Sequence, residues 1–137
     1  NDFMILELQK PTSFTPVTLA AADDSDYVAG EDATVLGWGY TTSNGPLSYE
    51  LKSVNVPLWN DQNCTQQFNT DPSMLCAGGV LDKDACAGDG GIISSSKKDV
   101  LLGLNSWGPK TCGTSVYSRV SNARAWIDSI VNGTCVV

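Results

Sequence analysis

The sequence predicts an all-β fold closed by one C-terminal helix. Turn signals recur at short intervals, at Lys10-Pro11, Gly30-Glu31-Asp32, Ser43-Asn44-Gly45-Pro46 and Pro109-Lys110. The stretches between them are short and apolar or alternating, the pattern of a barrel or sandwich. Only one stretch carries a helical period, and it lies near the end of the chain. At 137 residues, 42% of them apolar, the chain is sized for one domain with a core of its own.

The elements follow in order. Phe3 to Leu8 is almost continuously apolar and reads as a strand covered on both faces. Residues 9–33 are less regular, and Ala20-Ala21-Ala22-Asp23-Asp24-Ser25-Asp26 reads as an exposed acidic connection. Thr34 to Trp38 is a strand running into Gly37-Trp38-Gly39. Val54, Val56 and Leu58 alternate with polar or turn residues, as in a half-buried strand. Leu102 and Leu104 share one face of a strand that leads to Ser106-Trp107-Gly108, and Val116, Ser118 and Val120 alternate with Tyr117 and Arg119. In the helix, Ser121 is the expected N-cap. Trp126, Ile127, Ile130 and Val131 form a stripe to pack on the barrel, and Gly133 is the stop.

The formal net charge is −7, from 15 acidic and 8 basic residues. That excess argues against nucleic acid, which needs clustered Lys and Arg. It leaves open a solvated acidic surface or attraction to a basic partner. No run of about 18 apolar residues is present to span a membrane as a helix, and the opening residues do not read as a signal peptide. Five cysteines and no histidine point to an oxidising compartment and away from a zinc site; nothing suggests a cofactor. Asn63-Cys64-Thr65 and Asn132-Gly133-Thr134 are sequons, making Asn63 and Asn132 candidate glycosylation positions. The overlap of the first with Cys64 would limit its use.

The stretch richest in chemistry is Asp84-Ala85-Cys86-Ala87-Gly88-Asp89-Gly90-Gly91-Ile92. It resembles the nucleophile loop of the trypsin-like serine proteases, Asp-(Ser/Ala)-Cys-Gln-Gly-Asp-Ser-Gly-Gly-Pro. Five further segments match the family in order: Asn1-Asp2-Phe3-Met4-Ile5-Leu6, Gly37-Trp38-Gly39, Met74-Leu75-Cys76-Ala77-Gly78, Ser106-Trp107-Gly108, and Val116 to Val120 followed by Trp126-Ile127. The resemblance implies a trypsin-like double β-barrel, represented mainly by its second barrel. It also implies that residues 1–137 are a truncated trypsin-like peptidase domain. Its cysteine framework implies the disulfides Cys64–Cys76 and Cys86–Cys112, each stabilising by ~2–4 kcal/mol. A third family bridge is absent, with Ala33 and Ser96 near its two positions. Cys135 is left over, either free or bridging to a preceding segment.

Residue by residue, the resemblance places Asp2 at the triad aspartate, where it reads as a relict buried acid paired with backbone donors. Asp84 matches the base of a Lys/Arg specificity pocket and reads as a relict of it. Gly88 matches the oxyanion-hole glycine, and Asp89 the aspartate that receives the activation-cleaved terminus. Gly90 stands where the attacking serine belongs, by replacement in preference to deletion. Ile92 and Ile93 stand where the family has glycine and proline. The segment Cys112 to Val116 is shorter than the family's, and Ser115 would narrow or close the pocket. Acyl transfer by this route needs a hydroxyl nucleophile and an imidazole base; this chain supplies neither at these positions. Ser94 lies roughly 13 Å further along an extended strand, too far to substitute.

Among inactive trypsin-like proteins the chain resembles the glucanase inhibitor proteins secreted by oomycete plant pathogens. The shared features are the lost serine and the texture of Ala33-Thr34-Val35-Leu36-Gly37-Trp38-Gly39-Tyr40-Thr41-Thr42. That resemblance implies a secreted effector in the host apoplast that binds a plant endo-β-1,3-glucanase and cuts nothing. The alternatives are a trypsin-like endopeptidase cleaving after Lys or Arg, guided by Asp84, and a non-functional fragment of one.

Overall fold

The structure is a computed structural model and describes residues 2–43, 45–80, 86, 88–94, 99–109 and 111–133. Among the described residues seven strands and two helices follow one another: β1 (Thr18–Leu19), β2 (Asp32–Gly37), β3 (Lys52–Pro57), α1 (Asp61–Phe68), β4 (Met74–Gly78), β5 (Asp89–Ser94), β6 (Val100–Trp107), β7 (Thr114–Arg119) and α2 (Val120–Val131). The sheet runs β3-β2-β5-β6-β7-β4, with β1 added in parallel to β6. The five pairings along that path are antiparallel. Just past β3, Leu58 bridges Ala77 of β4, and the Trp59 amide donates to the Cys76 carbonyl at 3.0 Å. The two ends of the sheet therefore meet, and the antiparallel strands close into a barrel, as the sequence predicts.

Alternation fills the interior. In β2, Ala33, Val35 and Gly37 are buried while Asp32, Thr34 and Leu36 are not. Val35, Val56, Leu75, Ile92, Leu102 and Tyr117 are the large side chains of the main core. Every residue of β7 is buried, because both of its faces are covered. Tyr117 turns into the main core, and Val116 packs with the Cys64–Cys76 disulfide against Trp59, Phe68 and Met74.

Helix α1 has no apolar stripe for a sequence to show, since Cys64 is its only buried residue. Its ends carry the signal instead. The Asn60 side chain accepts from the Asn63 amide at 2.8 Å, and Asn69 closes the helix in the left-handed region at φ 51°.

Three expectations need correction. Phe3 to Leu8 forms no strand, and Met4, Leu6 and Leu8 are exposed. A strand needs an edge to pair with, and before β2 only Thr18–Leu19 finds one among the described residues. Phe3 alone is held, tilted against Trp126 with ring centroids 6.5 Å apart. In α2, Ser121 is inside the helix and caps nothing; Arg119 stands at the cap, and the Ser121 hydroxyl donates to Asp24. The helix is seated by Val120, Ser121 and Arg124, whose guanidinium donates to the Leu19 and Ala20 carbonyls at 3.1 and 3.2 Å. These anchors set the rotation, so Ile127 reaches the core while Trp126, Ile130 and Val131 remain partly exposed.

The acidic connection is the third. Asp24 adopts φ 61° and, with Asp61 of α1, accepts from the buried guanidinium of Arg119. The Arg119 Nε donates to the Met74 carbonyl at 3.0 Å, and its guanidinium lies 4.6 Å from the centre of the Tyr27 ring. The Tyr27 hydroxyl donates to the Trp59 carbonyl. Burial pushes this phenol up from 10.0 to about 12. The folded chain therefore holds the proton that the unfolded chain begins to release near pH 10. Stability is full below about pH 10 and falls as pH rises toward about 12. Tyr27→Phe should flatten that alkaline limb in urea unfolding between about pH 10 and 12; equal alkaline losses in both proteins would refute the assignment.

Candidate functional site

The site forms where β5 begins beside the end of β6. A cavity of about 320 Å³ opens there, lined by Gly88, Asp89, Ser106, Trp107, Gly108 and Ser115 among others. The Cys86–Cys112 disulfide, with Cα atoms 4.8 Å apart, ties two of its walls together. Ser115 is buried in the lining and does not close the cavity. Asp84 lies outside the described residues, as do Ser96 and Cys135.

Asp89 is the pin of the site. Its Oδ1 accepts from the Gly39 amide at 3.0 Å and its Oδ2 from the Cys86 amide at 2.7 Å. Both carboxylate oxygens are thus held by backbone donors, as a half-buried carboxylate requires. Close approach makes Gly37 necessary, because a Cβ there would lie 2.4 Å from Asp89 Oδ1 and 2.6 Å from its Cα. Gly88 sits at φ +89°, which favours glycine.

Gly90 is exposed on β5. Gly90 therefore presents backbone only. Ser94 is buried at the far end of the same strand, paired with Ala33, whereas the cavity end of β5 pairs Asp89 with Gly37. It has no approach to the cavity. Asp2 departs from the expected pairing with backbone donors. It is exposed, and its Oδ2 accepts from the Ser106 hydroxyl at 2.8 Å. The run that follows it has no strand to join, so Asp2 rests on the surface beside a cavity-lining serine instead of inside a protein wall. No group of side chains suited to a metal ion occurs among the described residues. Asn63 and Asn132 are both exposed.

A feature that the sequence showed only as a turn adjoins the cavity. Residues 39–43 and 45–48 form the arms of a hairpin, with Tyr40 bridged to Leu47. Its Ser43 hydroxyl accepts from the Cys112 amide at 2.9 Å, and Gly39 holds Asp89. The signal was present in the Asn-Gly-Pro turn, but turn chemistry does not tell where a hairpin docks.

The geometry is that of a trypsin-like second barrel, and the trypsin family model matches residues 1–127. The chain belongs to the trypsin family. Its relatives include glucanase inhibitor protein 1 of Phytophthora infestans, 47% identical over 140 residues, covering 94% of this chain and 54% of the relative. Glucanase inhibitor protein 2 of Phytophthora sojae is 43% identical, with 95% and 48% covered. Glucanase inhibitor protein 3 of Phytophthora sojae is 44% identical over 138 residues, with 93% and 99% covered. The chain spans about half the length of most of the relatives it matches. Within this trypsin-family chain, the Cys86–Cys112 disulfide and Asp89 frame the cavity, and Gly90 carries no side-chain nucleophile.

Proposed function

We propose that this chain is a secreted, proteolytically inactive trypsin homologue that binds and inhibits plant endo-β-1,3-glucanases. It acts in the host apoplast and suppresses a defence directed at the pathogen's wall glucans. The observation that carries the inactive reading is Gly90, which removes the attacking oxygen from an otherwise ordered site. The partner is supported by the relatives, whose names describe glucanase inhibitors. Two disulfides agree with an extracellular life. No helix among the described residues is long and apolar enough to cross a membrane. In a secretory pathway, exposed Asn63 and Asn132 are positions for glycans. Asp2 and Asp84 are relicts in this reading, with no catalytic role.

The test pairs two assays on one preparation. The chain should lower laminarin hydrolysis by a plant endo-β-1,3-glucanase. It should release no chromophore from Lys or Arg peptide substrates and form no adduct with a phosphonate reagent. Gly90→Ser should fold, since a Cβ there meets only the Leu36 carbonyl at 3.1 Å, and should remain inactive because no histidine is present. Loss of the nucleophile alone costs ~10⁶ in turnover, and restoring it without a base recovers little of that. Peptide turnover by the wild-type chain would overturn the inactive reading in favour of an endopeptidase.

A further inference from the structure

We propose that the hairpin beside the cavity is the surface that contacts the glucanase, and that it enters the enzyme's glucan cleft in place of a sugar chain; this rests on the glucanase reading above. Trp38, Tyr40, Leu47, Tyr49 and Leu51 are all exposed, Trp38 by 56% and Tyr49 by 100%. Scattered exposed apolar residues mean little, but five within fourteen positions, on one hairpin and the chain at its two ends, concentrate apolar surface there. Aromatic side chains of this kind dominate interface energetics.

The charge pattern selects the partner's chemistry. From Ala33 to Tyr49 there is no charged residue, in a chain of net charge −7, and Glu50, which interrupts the patch before Leu51, is paired with Lys52 at 3.4 Å. A glycoside-hydrolase cleft presents a pair of carboxylates to its substrate. An acidic surface would be repelled from such a cleft. A strip of hydroxyls and aromatic rings would not, since it offers the donors and flat apolar faces that a glucan offers. Thr42, Ser43, Tyr40 and Tyr49 supply those hydroxyls, while those of Thr41 and Ser48 donate to the Pro46 and Glu50 carbonyls.

The hairpin is also organised before it binds. Thr41 N donates to the Pro46 carbonyl at 3.2 Å, Gly45 N to Thr42 at 3.0 Å and Ser48 N to Gly39 at 2.9 Å. Its base is held by Asp89 and its side by the amide of Cys112. A Cβ on Gly88 would sit 3.3 Å from Gly39 Cα and 3.4 Å from Leu47 Cδ2, so the hairpin lies directly on the cavity rim. A surface ordered in advance loses little freedom on association. The former catalytic loop thus serves as the footing of the contact surface.

The test measures binding of the full chain to a purified plant endo-β-1,3-glucanase, with and without a laminarin oligosaccharide. Tyr49→Ala and Trp38→Ala should each weaken binding about tenfold, and Leu47→Asp about a hundredfold. Phe14→Asp, an exposed apolar residue elsewhere, should bind like the wild type, and the oligosaccharide should compete. Tyr49 is fully exposed, so its truncation cannot unfold the barrel and keeps the test open even if Leu47→Asp misfolds. Wild-type binding that survives Tyr49→Ala and Trp38→Ala within twofold overturns the hairpin assignment alone. Hairpin-dependent binding that ignores the oligosaccharide overturns the cleft. No binding by the wild type removes the glucanase reading, and the inference with it.

Discussion

Gly37→Ala is expected to remove about 4 kcal/mol of stability, a large part of what a domain of this size possesses. The alanine Cβ would overlap both the Oδ1 and the Cα of Asp89. A flexible side-chain tip can move aside, whereas the Cα belongs to the strand paired with β2. Relief therefore demands a shift of β5 itself, at a point where the register already changes between Val35 and Gly37. That shift would pull Asp89 from the Gly39 and Cys86 amides, leaving half-buried polar groups unsatisfied. Overpacking at ~1–3 kcal/mol and two strained hydrogen bonds together give the expected loss. Gly90→Ala, on the same strand with only a 3.1 Å contact to Leu36 O, is the matched control and should cost under about 1 kcal/mol. Urea unfolding of both variants checks the difference. Asp89→Ala in the Gly37→Ala background separates the two clashes. If the carboxylate alone were the obstacle, the second substitution would restore most of the lost stability. With the Cα still in place it should restore only a part.

The same geometry explains how far the sequence could be read. Strands β2, β3, β6 and β7 were legible because Val35, Val56, Leu102 and Val116 stand in short runs between turn signals, and such runs are local; β1 and β4 carried no such reading. The site was legible because a motif carries its own spacing, from Cys86 through Asp89 to Gly90. What local pattern cannot show is which edges find partners. Phe3 to Leu8 has the composition of a covered strand, yet nothing among the described residues offers it an edge. Helix α1 escaped notice because a disulfide, not an apolar stripe, fastens it to the barrel. Asp24 looked like one acid among several in a solvated connection. Only the folded chain brings it to Arg119, 95 positions away. The hairpin was visible as a turn, while its seat on the cavity rim depends on contacts through Ser43, Gly39 and Leu47 that no window of sequence contains.

Arg119→Ala is expected to cost ~3–5 kcal/mol, the scale of breaking a buried ion pair from one side. Only 5% of the Arg119 side chain is exposed, against 36% for Asp24 and 63% for Asp61. From the end of β7 the guanidinium joins three separate parts of the chain: the turn at Asp24, the start of α1 at Asp61 and the start of β4 at the Met74 carbonyl. A lysine has one compact ammonium and no planar face for the Tyr27 ring, so Arg119→Lys should recover only a fraction of the loss. Asp61→Asn should cost under about 1 kcal/mol, because water already shares that carboxylate. Asp24→Asn should fall between, since this acid also receives the Ser121 hydroxyl. Salt decides whether the cluster acts as a buried one. Exposed pairs fade in 1 M salt, where screening acts over about 3 Å, whereas a buried guanidinium is screened far less. The loss in Arg119→Ala should therefore persist in 1 M sodium chloride, measured by urea unfolding. A loss that vanished with salt would reduce the cluster to surface decoration and leave the α1–barrel junction to the Cys64–Cys76 disulfide alone.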